Sequence, residues 1–236
     1  MRIRDLLDVR KMPRVTIALM ASEASGNDPF YARIVDEFYE ATRQRHDKFP
    51  LVRNWQYGVA LCVLPATFDD YFMAIEAAGR RNFKKAERLG YRFGAIDYNG
   101  YLGDIGEIRR STGVRQGKLS DELLAGEVTR CANPPSRNRV HDYPYFGVTR
   151  DGRLYAYAGC FIAGELCLIE HILGHAAHQA DGVVPMLIVG MAKYVMQNHP
   201  RVKYYAYGTY FGAGTTLRRF KRKFLFLPHK VTWVKG

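Results

Sequence analysis

No run of about 18 apolar residues occurs in this chain, so a membrane-spanning helix is not expected. The opening segment, MRIRDLLDVRKMPR, lacks an uninterrupted apolar stretch and a small-residue cleavage site, so no secretory leader is expected either. Cysteine is scarce: Cys62, Cys131, Cys160 and Cys167, with no C-x-x-C pair among them. That spacing offers neither a zinc site nor a disulfide framework. Cys62, Cys160 and Cys167 lie in apolar, strand-like surroundings, where cysteine acts as a small hydrophobe. A cytoplasmic protein without a metal is the expectation. Acidic residues are in deficit, 23 against 35 basic ones, for a formal charge of +12. A charge of that size is either merely solvated or answers a polyanionic partner, a nucleic acid or a phosphorylated cofactor. No internal repeat or low-complexity tract is present.

Core material, by contrast, is plentiful. Of 236 residues 47% are hydrophobic, with 13 Phe and 16 Tyr, which excludes a disordered chain. Val15–Met20 reads as a short strand. Asp28-Pro29 signals a helix start, and Phe30, Ile34, Val35, Phe38 and Tyr39 recur at helical spacing to about His46. Gln56–Leu64 reads as a strand closed by Pro65. Thr67 and Asp70 have capping-box spacing and open a long helix to Leu89, stopped by Gly90. One face of that helix carries Arg80, Arg81, Lys84, Lys85 and Arg88, a density of charge suited to a polyanion or simply to water.

From Tyr91 the alternation becomes regular. Tyr91–Tyr98 reads as a strand, Gly103–Ser111 as a short helix, and Ser120 to about Cys131 as another after the basic loop Arg115–Lys118. Strands follow at Tyr145–Thr149, Leu154–Ile162 and Leu166–Leu173, joined by turns at Asp151-Gly152 and Ala163-Gly164. The loop His178–Gly182 then opens an almost wholly apolar helix, Val183–Gln197. After it come a strand Val202–Tyr207, a basic helix Thr215–Phe224 and a closing strand region Phe226–Val234. A strand feeding a glycine-bearing turn at a helix N-terminus presents unpaired backbone N–H groups, which favour an anion.

This order of strand, helix, helix, three strands, helix, strand, helix, strand resembles the GNAT acyltransferase fold over about 145 residues. The resemblance implies an α/β (α+β) architecture, a mixed, splayed central sheet flanked by helices. Residues 91–236 then form a GNAT-like core, and residues 1–90 an N-terminal extension of short strands plus two helices packed on it. GNAT proteins bind the pyrophosphate of acyl-CoA with a Q/R-x-x-G-x-G/A loop, and Gln179, Asp181, Gly182, Val183 and Val184 stand at the matching positions. Val184 replaces the usual small residue and Asp181 adds a negative charge. His175 and His178 flank the loop.

The run Tyr204–Trp233 resembles the end of the FemAB branch of the superfamily, whose members use aminoacyl-tRNA and lack a good CoA loop. Phe220-Lys221 and Phe224 fit that pattern, while Leu225 stands where a glycine is usual. FemAB proteins carry two tandem GNAT domains, whereas this chain has room for one copy and a remnant before Tyr91.

The resemblance implies transfer of an acyl or aminoacyl group from acyl-CoA or aminoacyl-tRNA to an amine acceptor (a small molecule, a peptide or a nucleic acid), with tRNA as a partner. Such chemistry needs an aligned acceptor, a base for the ammonium proton and a donor for the oxyanion. The splayed fourth strand would offer its backbone, at Ile172 and Leu173, to the donor carbonyl. Glu170 and His171 occupy the middle of that strand, and strict alternation lets only one of them face the cleft. Glu170 would share a face with Leu168 and Ile172, an apolar setting that tunes a carboxylate toward base strength. His171 needs no tuning. Tyr207, or Tyr210, would protonate the leaving group, and Lys221 would neutralise charge on the tRNA terminus or leaving group. Two other readings use the same residues: a non-catalytic nucleic-acid binder on this fold, and an acyltransferase acting on nucleic-acid bases.

Overall fold

A computed structural model describes residues 11–24, 28–46, 49–111 and 127–236. A nine-stranded mixed sheet organises the chain. In sequence its strands are β1 (Arg14–Ala18), β4 (Tyr57–Val63), β5 (Arg92–Ala95), β6 (His141–Asp142), β7 (Tyr145–Arg150), β8 (Arg153–Ala163), β9 (Leu166–Gly174), β10 (Tyr204–Thr209) and β11 (Leu227–Val234). A separate hairpin pairs β2 (Arg45–His46) with β3 (Phe49–Arg53). The spatial order in the large sheet is β1-β11-β4-β10-β9-β8-β7-β5, with β6 beside β8. Two contacts are parallel, β1 with β11 and β9 with β10; the others are antiparallel.

The helices are α1 (Pro29–Arg43), α2 (Phe68–Ala74), α3 (Ala77–Arg88), α4 (Leu102–Arg110), α5 (Val183–Asn198) and α6 (Thr215–Lys223). α5 is almost wholly apolar because most of its surface is covered, Lys193 and Gln197 being exposed. Its Val183, Met186, Leu187, Val189 and Met191 sit in the largest core, with Phe146, Ile162 and Ile169 of the sheet and Ala86 of α3. Truncating Leu187, which is fully buried, to Ala removes about 2–5 kcal/mol of stability. The opposite sheet face packs Leu61, Phe161, Leu166 and Leu168 against Val35 of α1, and a third cluster sets Ile105 and Ile108 of α4 beside Leu154 and Tyr157.

The single helix expected from Thr67 to Leu89 is two. The Thr67 hydroxyl accepts from the Asp70 amide at 3.1 Å, as its spacing predicts. The chain then leaves helical geometry at Ile75 (φ −64°, ψ 153°). Arg80 holds the break, donating to the carbonyls of Met73 at 2.6 Å and Ile75 at 2.5 Å, so one of the five expected surface cations serves as a cap. The freed Glu76 amide donates to the Lys223 carbonyl at 2.9 Å, tying α3 to α6. Asp28 also departs from expectation: its carboxylate makes no helix-cap bond and instead accepts from the Arg137 amide at 3.4 Å.

The division at residue 90 is not a seam in the sheet. β4 lies between β11 and β10, and β1 pairs with β11, so residues before Tyr91 supply an interior strand and an edge. Arg115, Gln116, Lys118 and most of the helix expected from Ser120 lie outside the described residues, and its described end, Glu127–Cys131, is irregular.

Candidate active site

β9 carries the feature on which the site depends. Its pairing with β8 steps from Cys160↔Ile169 to Gly159↔His171, leaving Glu170 as a bulge with no partner. The extra residue reverses the alternation. Ile169 and Ile172, three apart, both pack on the α5 side, whereas Leu168 packs on the α1 side. Two expectations are thereby corrected. Glu170 keeps the α1 side with Leu168 but is parted from Ile172 and is exposed, and Glu170 and His171 both line the same cavity. Gly159, opposite the bulge, leaves room for aromatic rings: a Cβ there would lie 3.0 Å from Cε1 of Tyr145. The Tyr143 hydroxyl donates to Glu170 Oε2. Burial, then the Glu170 carboxylate, push the Tyr143 phenol well above its ordinary pKa, so it stays a donor.

At the bulge the sheet opens on its other side. The parallel β9–β10 ladder ends at Leu168↔Ala206, and the two strands part beyond it. A cavity of about 860 Å³ occupies the gap, with Gln179, Val184 and Pro185 from the α5 end, Asn82 from α3, Phe220 and Lys223 from α6, and Tyr207 from β10. Glu170–Gly174 floor it, so Ile172 and Leu173 lie where expected, and Tyr98, Arg109, Tyr145 and Tyr157 close its far end. A second cavity, about 390 Å³, lies on the α1 side and shares Tyr145 and Glu170 with the first.

Lys221 lies behind this cavity, not on its lining. The residue is 3% exposed. Its Nζ donates to the carbonyl oxygens of Tyr207 at 2.5 Å and Thr209 at 2.9 Å, both beyond the last β9–β10 pair. Desolvation lowers its pKa to about 8. The ammonium also sits 4.5 Å from the centre of the Tyr207 ring. Burial raises the Tyr207 phenol to about 12, which keeps it protonated as an acid should be. Of the cations on α6 the one that does line the cavity is Lys223, inconspicuous in the sequence because it is one of a run. Leu225 explains how the helix ends without a glycine. It adopts φ 65°, while Leu225 N–H donates to Arg222 O at 3.0 Å and Phe226 N–H to Lys221 O at 3.1 Å. This is a Schellman cap, built on a residue that dislikes its geometry.

The loop before α5 packs closely against α3. Gly182 has φ 90°, and a Cβ on it would come within 2.3 Å of the Asn82 carbonyl oxygen, so close packing against α3 demands glycine there. Lys85 donates to the Ala180 carbonyl at 2.7 Å, pinning the loop from the same side. The Asp181 carboxylate turns away from the cavity to accept from Tyr91 at 2.9 Å, with His178 Nδ1 at 3.3 Å. Those bonds, Tyr91's first, hold its carboxyl below the usual range. Of the first three helical positions only Val183 and Val184 carry an N–H, since the third is Pro185.

The sequence also hid a basic residue at the far end. Arg109 Nε donates to the Tyr157 hydroxyl and Nη2 to that of Tyr98, both at 3.1 Å. Its helical position within a Glu-Ile-Arg-Arg run reads as a solvated end, and only the fold turns it inward. Among the described residues no cluster of three or more His, Cys, Asp or Glu could hold a metal, and no helix is long and apolar enough to cross a membrane.

No family model matches the chain, and no curated protein matches it. Solved structures do. FemX superposes with a TM-score of 0.53 at 13% identity, over 70% of this chain and 57% of that one. A conserved protein of unknown function from Bacteroides thetaiotaomicron VPI-5482 gives 0.50 at 12%, over 73% and 58%. L-PGS from Bacillus licheniformis gives 0.45 at 12%, over 72% and 56%. The chain thus spans well under two thirds of each, and at such identities the likeness is one of fold. With its parted β9 and β10 strands and the helix α5 beneath them, the chain has the GNAT-like fold, and FemX is among the structures that share it.

Proposed function

We propose that this protein is an N-acyltransferase that moves an aminoacyl group from aminoacyl-tRNA to an amine acceptor. The observation that carries the reading is the cavity through the parted strands, whose floor brings Glu170 and His171 together with the backbone of Ile172 and Leu173. In this scheme the acceptor enters from the Tyr98–Tyr157 end and the donor from the α3–α6 end. Glu170 takes the ammonium proton, and the free amine attacks the ester carbonyl carbon. The carbon–oxygen bond to the ribose breaks, the departing oxygen gains a proton from Tyr207, and the surplus proton on the attacking nitrogen restores the phenol. Lys221 acts through Tyr207 and the end of β10, while Lys223 offers charge to the donor directly.

The closed loop at Gly182, with Asp181 turned aside and Pro185 in the first turn, supports an RNA-borne donor over the pyrophosphate of acyl-CoA. The exposed cations Arg81, Lys84 and Arg88 on α3 and Arg219 and Arg222 on α6 support the same choice. The test is transfer of a labelled amino acid from charged tRNA to an amine, beside a thermal-shift titration with acetyl-CoA. Label in amide linkage, with a CoA shift under about 1 °C, is the expected pair of results. A larger CoA shift with CoA-dependent acylation replaces the donor. RNA binding without turnover leaves the non-catalytic reading.

A further inference from the structure

Arg109 is the one cation at the acceptor end of the cavity among the described residues, and its surroundings are incomplete. The guanidinium is partly buried between two phenols and pairs with no described carboxylate. Its Nε–H and one Nη2–H are taken by Tyr157 and Tyr98, which leaves the other three donors of the planar fork, on a residue that lines the cavity, without a described acceptor. A partly desolvated charge without a counter-ion is costly. The two phenols also fix the fork's plane. Tyr98 packs in the α4 cluster with its ring centre 4.5 Å from that of Tyr145, and Tyr157 is 2% exposed, so neither can swing away cheaply. A rigid fork of this kind suits a small planar or tetrahedral oxyanion bound by two parallel hydrogen bonds. The opposite sign lines the same cavity: Glu170, the base assigned to the acceptor amine, is on its floor, and Arg109 is at the end lined by Tyr98 and Tyr157.

We propose that Arg109, held by Tyr98 and Tyr157, is the anchor for an oxyanion on the acceptor, so that the acceptor bears a carboxylate or a phosphate as well as its amine. This rests on the reading of the cavity as an amine-acceptor site.

The test is a binding titration of the full chain with three probes: glycylglycine, which carries an amine and a carboxylate; phosphoethanolamine, an amine and a phosphate; and ethanolamine, an amine alone. At least one of the first two binds more tightly than ethanolamine, by about tenfold, the worth of one charge-assisted pair. Which of the two it is tells the carboxylate source from the phosphate source. Arg109→Gln removes the preference, and Tyr157→Phe reduces it while keeping the charge. If Arg109→Gln does not fold, Arg109→Lys decides, since it keeps the charge, loses the fork and weakens the preference. Where transfer is measurable, the KM for the anionic acceptor rises about tenfold in Arg109→Lys and kcat changes less. Equal binding of all three probes by the wild type, or a preference that survives Arg109→Gln or Arg109→Lys, overturns the assignment. An Arg109-dependent preference in a protein that transfers nothing leaves the oxyanion site standing and removes the transferase.

Discussion

The ammonium of Lys221 lies 2.5 Å from the carbonyl oxygen of Tyr207 and 4.5 Å from the centre of the same residue's ring. One buried cation therefore fixes both the backbone and the side chain of the tyrosine that lines the cavity. The charge has no described acid beside it, and its burial costs stability whenever the group is protonated.

That cost makes a pH dependence. The folded pKa of about 8 lies below the ordinary 10.5, so between those values the unfolded chain holds more protons and stability rises with pH. Below about 8 the group is charged in both states and the penalty is full. Unfolding free energies from urea titrations at about pH 7 and about pH 9.5 are expected to differ by about 1–2 kcal/mol in favour of the higher pH, and the Lys221→Met variant loses this rise.

Glu170→Gln is expected to lower turnover by about 10²–10⁴-fold near neutral pH, the usual worth of a positioned base. Tyr143→Phe, which removes the donor to that carboxylate, gives a smaller fall. Steady-state rates across neutral pH check both. An unchanged Glu170→Gln rate moves the role to His171 on the same floor.

Gly182 and Gly152 separate packing from backbone strain. Both have positive φ, 90° and 77°, but a Cβ meets the Asn82 carbonyl at 2.3 Å in the first case and nothing within 4 Å in the second. Gly152→Ala is expected to cost about 1–2 kcal/mol from φ alone. Gly182→Ala should cost more, by a margin read from denaturant midpoints, because α3 must shift as well.

Arg81, Lys84 and Arg88 are exposed and bond no described backbone, unlike Arg80 and Lys85. Replacing the three by Ala is expected to flatten the dependence of log K for RNA on log salt by up to about two units, with little change in melting temperature. A filter-binding series at several salt concentrations measures the slope.

Periodicity carried the reading where an element is simple. Phe30, Ile34, Val35 and Phe38 marked α1, and the apolar run after Gly182 marked α5, because burial on one side or on all sides leaves a direct trace in residue type. The bulge at Glu170 left none, since the run Leu-Cys-Leu-Ile-Glu-His-Ile-Leu contains no glycine or proline to announce it. The break at Ile75 was hidden for a different reason: Arg80 closes it from the next helix, a contact invisible as a pattern. Gly182 is legible in the sequence as the glycine of a helix-opening turn, yet the Asn82 carbonyl that requires it lies a hundred residues earlier. Arg109 was missed because a cation near a helix end looks like solvated charge until Tyr98 and Tyr157 surround it.

The place of β11 has an effect on how the protein is made. This strand follows the other described strands in the chain, yet it sits between β1 and β4, joining Val231 to Val15 and Leu227 to Leu61. Until Leu227–Val234 is made, β1 has no strand beside it among the described residues and β4 keeps an open flank, so a ladder that starts at Arg14 is completed only some two hundred residues later.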